Sequence, residues 1–300
     1  MIEVKELTKS FGKKTVLDQI SFTAGGGSVF GLLGYNGAGK TTLLKIAAGV
    51  YMPDSGSVLL DGKSSSTEPA GRQSLFFLSD SLYFPGNASV EKAARFYANY
   101  IPAFSMQTFQ KLMQLFGLPE RKAVRTFSKG MRRQAEMVLA LSAHPKYILC
   151  DECFDGLDPS KRKLVKDLLL DYVQNSGAAV IVSSHNLNEL SDFCGRIGLI
   201  NKNKLVLDLD TQSLAGRYCR ITVRVPREKE SALRAIADIR IQKGEEDGVY
   251  LLSTAGNVQD VLEQLRALEP AELDSRAMTL EEVFLSYMEE NNYDYADIFN

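Results

Sequence analysis

The chain has 300 residues, 45% of them hydrophobic and 24% charged, with a formal net charge of −2. That length fits one domain of about 200 residues with a smaller companion. The charge leaves no basic footprint for nucleic acid or an anionic membrane, and no run approaches the ~20 apolar residues needed to cross a bilayer.

The first 33 residues alternate: Ile2, Val4 and Leu7, then Val16, Leu17, Ile20 and Phe22. They read as antiparallel strands joined by a turn around Gly12-Lys13-Lys14, entered without an apolar signal core, so a cytosolic location is expected. The polar turn over 8–13 carries Phe11, either a half-buried anchor or a surface on which a base could stack. Val29-Phe30-Gly31-Leu32-Leu33 is a short buried strand, and 41–48 is a helix ending at Gly49. Between them, Gly34-Tyr35-Asn36-Gly37-Ala38-Gly39-Lys40-Thr41 fits G-x-x-x-x-G-K-[ST]. Such glycines let successive backbone N–H groups close on an anion at a helix N-terminus. Lys40 is then placed to reach the outer phosphates of a nucleotide, and the Thr41 hydroxyl to help hold Mg²⁺.

Residues 56–61 read as a strand ending in an Asp61-Gly62 turn, and Leu75-Phe76-Phe77-Leu78 as another, interrupted at Ser79-Asp80-Ser81. After a Pro85-Gly86 turn the pattern becomes helical. Ser89 caps a helix carrying Val90, Ala93, Ala94 and Tyr97. A second helix starts near Ser105, carries Phe109, Leu112, Met113 and Phe116, and stops at Gly117. Phe127-Ser128-Lys129-Gly130-Met131 opens a third, whose apolar set includes Met131, Val138, Leu139 and Leu141. Ser128 caps it and Gly130 permits close approach, making a second helix start suited to an anion.

The hydrophobic run from Tyr147 ends in Asp151 and Glu152. Adjacent carboxylates at a buried strand end are costly unless a cation or a chemical task employs them. Asp151 is therefore assigned to the Mg²⁺ shell, and Glu152 to positioning or deprotonating water. Residues 178–185 form another buried strand, with His185 at its exit; His144, in a loop before Pro145, is read as incidental. Cys150 and Cys153 make a C-x-x-C around those carboxylates. With no second such pair, and with only four cysteines in all, neither a zinc site nor a disulfide framework is expected.

From about 211 the rhythm changes. Residues 218–225 alternate as a strand with Ile221, Val223 and Val225 on one face. Residues 228–237 read as a helix, 248–254 as a strand and 258–268 as a helix. The last helix opens on the capping box Thr279-Leu280-Glu281-Glu282 and buries Leu280, Val283, Phe284, Tyr287 and Met288. Residues 211–300 thus form a small α+β accessory domain, and the tail over 291–300 is open between disorder and docking on a partner.

Five motifs in one order, over about 1–210, resemble those of the ATP-binding subunit of an ATP-binding cassette (ABC) transporter. Residues 34–41 resemble its Walker A loop, which places Asn36, Gly37, Ala38, Gly39, Lys40, Thr41 and Thr42 around the nucleotide. Tyr147–Asp151 resembles the Walker B strand, with Glu152 as the catalytic carboxylate. Phe127-Ser128-Lys129-Gly130-Met131 resembles the signature motif, Gly156-Leu157-Asp158 the D-loop, and His185 the switch histidine that contacts the γ-phosphate. Phe11 falls where the adenine-stacking aromatic belongs.

The resemblance implies an α/β fold: a P-loop NTPase parallel-sheet core with an antiparallel β subdomain and a helical signature subdomain over about 86–143. It implies ATP hydrolysis with Mg²⁺ by two ATP-binding subunits, homo- or heterodimeric and packed head to tail. Each ATP would lie between one Walker A loop and the partner's Ser128 and Gly130. Separate transmembrane permease subunits would hold the dimer at the inner face of the cell membrane, with no nucleic-acid partner. The 280–284 stretch is similar to the C-terminal extension of drug- and peptide-exporting members, which points to export and to a regulatory or dimer-supporting accessory domain. Asp80 stands where the family most often has glutamine; it can still bind metal, but an ionised carboxylate donates no hydrogen bond. Cys153 replaces the usual proline. Two alternatives are a soluble ABC-type ATPase acting on ribosomes or nucleic acid, and a weakly hydrolysing regulatory half of a heterodimer.

Overall fold

The computed structural model describes residues 1–68, 72–79, 87–237, 239–244, 246, 248–254 and 257–290, and the chain divides into two compact units, Met1–Asp208 and Leu209–Asn300. In the first unit, β1 (Ile2–Phe11) and β2 (Lys14–Ala24) form an antiparallel hairpin. Strand β3 (Ser28–Leu33) leads into α1 (Lys40–Ala47), and β4 (Ser55–Leu60) and β5 (Lys63–Ser64) return to the hairpin in the order β2-β1-β4-β5. Their inward residues, Ile2, Val4, Leu7, Leu17, Ile20 and Phe22 among them, are buried. Phe22 stacks on Phe30 of β3 at 4.5 Å, tying the antiparallel sheet to the next layer. Phe11 is the last residue of β1 rather than part of a turn.

The second sheet has the order β10-β9-β3-β8-β7-β6, with β6 (Leu75–Leu78), β7 (Tyr147–Asp151), β8 (Ala179–Ser184), β9 (Arg196–Asn201) and β10 (Lys204–Asp210). Strands β6, β7, β8, β3 and β9 pair in parallel. Every residue of β7 and β8 is buried, the expected state of parallel strands covered on both faces, which explains their unbroken apolar runs. All carboxyl ends of a parallel sheet lie along one edge, and α/β proteins place their ligands there.

Helices α2 (Val90–Tyr100), α3 (Met106–Phe116) and α4 (Lys129–Ser142) intervene between β6 and β7. Each starts on a serine whose hydroxyl accepts a first-turn N–H: Ser89 from Lys92, Ser105 from Thr108, Ser128 from Met131. Gly117 closes α3 at φ 68, the left-handed geometry that glycine supplies without Cβ strain. Helix α4 is buried almost all round. Arg133 and Gln134 are inside with Met137 and Val138, whereas Met131 is half-buried, so the one-sided apolar face expected there is too narrow. Helix α5 (Pro159–Ser176) follows β7, and the single turn α6 (Leu187–Leu190) follows β8.

The second unit runs β11 (Cys219–Arg224), α7 (Glu230–Arg234), β12 (Ile239–Lys243), β13 (Val249–Thr254), α8 (Val258–Ala267) and β14 (Glu272–Ala277). This βαββαβ order, with antiparallel sheet order β12-β13-β11-β14, is the ferredoxin-like split βαβ arrangement. Ile221, Val223, Leu233, Leu252, Val261 and Leu265 fill its core. The helix expected over 228–237 is shorter: a 3-10 turn at Arg227–Lys229, then five residues of α7. Helix α9 (Leu280–Glu290) opens on the expected capping box, Thr279 N–H donating to Glu282 Oε2 (3.0 Å) and Glu282 N–H to Thr279 Oγ1 (3.2 Å). Asp80, the Pro85-Gly86 turn and the 291–300 tail lie outside the described residues.

Candidate functional site

The site lies at the carboxyl ends of β3, β7 and β8. After β3 the chain turns through Gly37 at φ 84 and Gly39 at φ 108. A Cβ on Gly39 would stand 2.7 Å from Leu17 Cδ2 and 2.8 Å from the Val16 carbonyl oxygen, so both dihedral and space demand glycine. Gly39 offers no side-chain cap, which leaves the first-turn N–H groups of α1 to whatever anion arrives. Asn36 and Gly37 are exposed, Ala38 is buried, and Thr41 and Thr42 sit half-buried in that first turn. Lys40 is 5% exposed; its Nζ donates to the carbonyls of Gly34 (2.5 Å) and Tyr35 (3.2 Å).

Strands β7 and β8 pair in parallel with Asp151 opposite Ser183. The Ser183 hydroxyl donates to Asp151 Oδ1 (2.8 Å) and accepts from the Glu152 N–H (3.1 Å). Asp151 is fully buried, and its Oδ2 has no hydrogen-bond partner. A buried carboxylate oxygen left unsatisfied is costly, and hard divalent cations take oxygen donors of that kind. The unpartnered Asp151 Oδ2 is therefore an oxygen of the kind that fits Mg²⁺.

Glu152 sits at φ 50, left-handed backbone that a non-glycine residue seldom adopts. Its Oε2 lies 3.0 Å from His185 Nδ1 and its Oε1 3.2 Å from Lys40 Nζ, an ion-pair contact without hydrogen-bond geometry. Ligand atoms of Glu152, Asp155 and His185 all come within 4.8 Å of one another. The structure thus brings together Lys40 at the start of α1 and Glu152 and His185 just after β7 and β8.

Ser128 and Gly130 are placed by other contacts. The Ser128 hydroxyl caps α4, and Lys129 Nζ lies 3.3 Å from Asp155 Oδ2. A Cβ on Gly130 would stand 2.4 Å from the Gly156 carbonyl oxygen, so this glycine is needed for packing against the 155–157 loop. Asp158 caps α5, its Oδ1 accepting from Lys161 N–H (3.0 Å) and Ser160 Oγ (2.5 Å); these bonds hold its carboxyl below the usual range. Phe11 is 47% exposed, edge-on to Tyr51 at 5.6 Å, with Lys9 Nζ 5.5 Å from its centroid. Cys150 and Cys153 are free and buried; their mutual hydrogen bond and burial push the Cys150 thiol up, which denies it thiolate chemistry.

Sequence reasoning missed Ser183 as more than a strand residue. The available signal was the parallel alignment of Tyr147–Asp151 with 179–183, which sets the hydroxyl against the carboxylate. It also missed the brace below His185, where Ser184 Oγ donates to Glu189 Oε2 (2.7 Å) and Glu189 meets Arg162 of α5 at 3.3 Å.

The ABC transporter family profile matches residues 17–155. The ABC transporter ATP-binding protein YtrB of Bacillus subtilis is 30% identical over 287 residues, covering 95% of this chain and 97% of its own length. The lipopolysaccharide export system ATP-binding protein LptB of Haemophilus influenzae is 29% identical over 218 residues, 69% of this chain and 89% of its own. Among solved structures, a dimeric post-hydrolysis state of the ATP-binding cassette MJ0796 bound to ADP and Pi superposes with a TM-score of 0.63 at 20% identity. That match covers 70% of this chain and 99% of that one, and it speaks for the fold.

Proposed function

This chain belongs to the ABC transporter ATP-binding proteins and is an ATPase, and we propose that it drives export through separate membrane permease subunits as one half of a head-to-tail dimer. The observation that carries the hydrolytic part of the reading is the meeting of Lys40, Glu152 and His185, with the residue before Glu152, Asp151, keeping one buried oxygen unpartnered. Lys40 exchanges its contacts to the Gly34 and Tyr35 carbonyls for the outer phosphates of ATP, while the first-turn N–H groups of α1 cradle them. Glu152 accepts a proton from the attacking water, and His185, held by its bond to Glu152, faces the γ-phosphate. Thr41 and Asp151 would hold Mg²⁺, which when bound would supply charge neutralisation for the phosphates.

Ser128 and Gly130 start a capped helix packed on the chain's own 155–157 loop, and the reading gives them the nucleotide of a second subunit. Export is favoured by the likeness to an export-system ATP-binding protein. Among the described residues no helix is long and apolar enough to cross a membrane. Light scattering on Glu152→Gln tests the dimer: ATP with Mg²⁺ should shift it from monomer to dimer. A variant that binds ATP and stays monomeric contradicts the shared site.

A further inference from the structure

We propose that Ser183 is a positioning residue that sets, through one hydroxyl, both the metal-facing carboxylate of Asp151 and the backbone of the general base Glu152. The inference rests on the ATPase reading above. Ser183 is fully buried on β8, and strand register rather than loop conformation places it opposite Asp151. Its two hydrogen bonds have forced polarity: the Glu152 N–H can only donate and an ionised Asp151 can only accept, so the hydroxyl proton points to Asp151 Oδ1.

Two consequences follow from that polarity. One oxygen of Asp151 is occupied by Ser183, and the other, Oδ2, is left unpartnered in a buried setting, open to a cation. The bond to the Glu152 N–H anchors the residue at φ 50, the kink from which its carboxylate reaches Lys40 and His185. A plain structural hydroxyl would satisfy one buried group. Ser183 joins two consecutive carboxylate residues with different tasks, so losing it should uncouple metal affinity and turnover from nucleotide affinity.

The test compares wild type, Ser183→Thr and Ser183→Val, the last pair having one shape with and without the hydroxyl. Nucleotide affinity is read in EDTA, Mn²⁺ affinity of the ATP complex by electron paramagnetic resonance, and kcat and KM for MgATP by phosphate release. The valine chain should bind ATP in EDTA like wild type, yet lose roughly 10-fold to 100-fold in Mn²⁺ affinity and in kcat, as removal of an orienting partner of a metal ligand does. Threonine should restore most of both. A valine chain with unchanged Mn²⁺ affinity and kcat overturns the proposal, even if its Tm falls. Should the valine chain fail to fold, Ser183→Cys, a weak donor of similar volume, must show the same selective loss or the proposal fails. A wild type without hydrolysis would sink the ATPase reading, while the Mn²⁺ comparison would still decide the role of Ser183.

Discussion

The ends of β7 and β8 and the outer charges of the second unit handle ionised groups in opposite ways. At the strand ends, Asp151 is buried with one oxygen unpartnered, and Glu152 is held at φ 50 with Oε1 lacking hydrogen-bond geometry. In Leu209–Asn300 described carboxylates form ion pairs at the surface. Glu282 meets Arg276 at 2.6 Å, Glu246 meets Arg224 at 2.6 Å and Glu230 meets Arg234 at 2.8 Å. Among the described residues, the buried carboxylate oxygens without a hydrogen-bond partner belong to Asp151 and Glu152, both in Met1–Asp208. Left-handed backbone occurs in both units, at Glu152 and at Glu269. What separates them is carboxylate satisfaction, which among the described residues fails at Asp151 and Glu152, where departures of that kind are expected of a functional site.

Substitutions can break that contrast. The largest change on the binding side should come from Lys40→Ala. Charged hydrogen bonds are worth ~1.5–3 kcal/mol, so nucleotide affinity measured by calorimetry should fall roughly 10-fold to 100-fold; unaltered affinity would refute the phosphate-loop role. Gly130→Ala drives a Cβ to 2.4 Å from the Gly156 carbonyl oxygen. It should destabilise the first unit by about 1–3 kcal/mol, seen as a lower Tm, as overpacking does. An unchanged Tm would mean that the two loops can part freely.

The smallest effect belongs to the accessory unit. The Arg276 guanidinium holds the Glu282 carboxyl at about 2, against an ordinary value of 4.5. A depressed folded-state pKa stabilises above the unfolded value and is lost as pH falls through the folded one. Glu282→Gln should therefore cost about 1 kcal/mol at neutral pH, the pair being partly exposed, with the cost shrinking as pH falls from the ordinary carboxylate range toward 2, where the carboxyl is half protonated. Hydrogen exchange of the α9 amides reads this directly, and nucleotide binding should not change. A penalty that persists at acid pH would remove the ion pair as its cause.

The legibility of the chain follows the same divide. Strands β3, β7 and β8 could be read because parallel strands buried on both faces are continuous apolar runs, each ending in its chemistry. Strands β12 and β14 escaped because they are edges: β14 offers Leu273 as its one large apolar residue, and β12 alternates only over Ile239 to Gln242, too short a run to stand out. The capping box of α9 is local and was legible; the burial of Arg133, whose guanidinium donates to the Ser79 carbonyl at 2.6 Å, is a long-range fact and was not. Ser183 is the instructive case. Its residue type says nothing, and only the register of two strands, 32 residues apart at the bond, gives it a partner.

The central claim is that Glu152, aimed by its strained backbone at Lys40 and His185, is the base for ATP hydrolysis. Phosphate release and ATP binding measured in parallel on wild type and Glu152→Gln test it most directly. ATP binding should be retained while turnover falls by roughly 10²-fold to 10⁴-fold, the range for removal of a general base. Hydrolysis by the glutamine variant at the wild-type rate would contradict it.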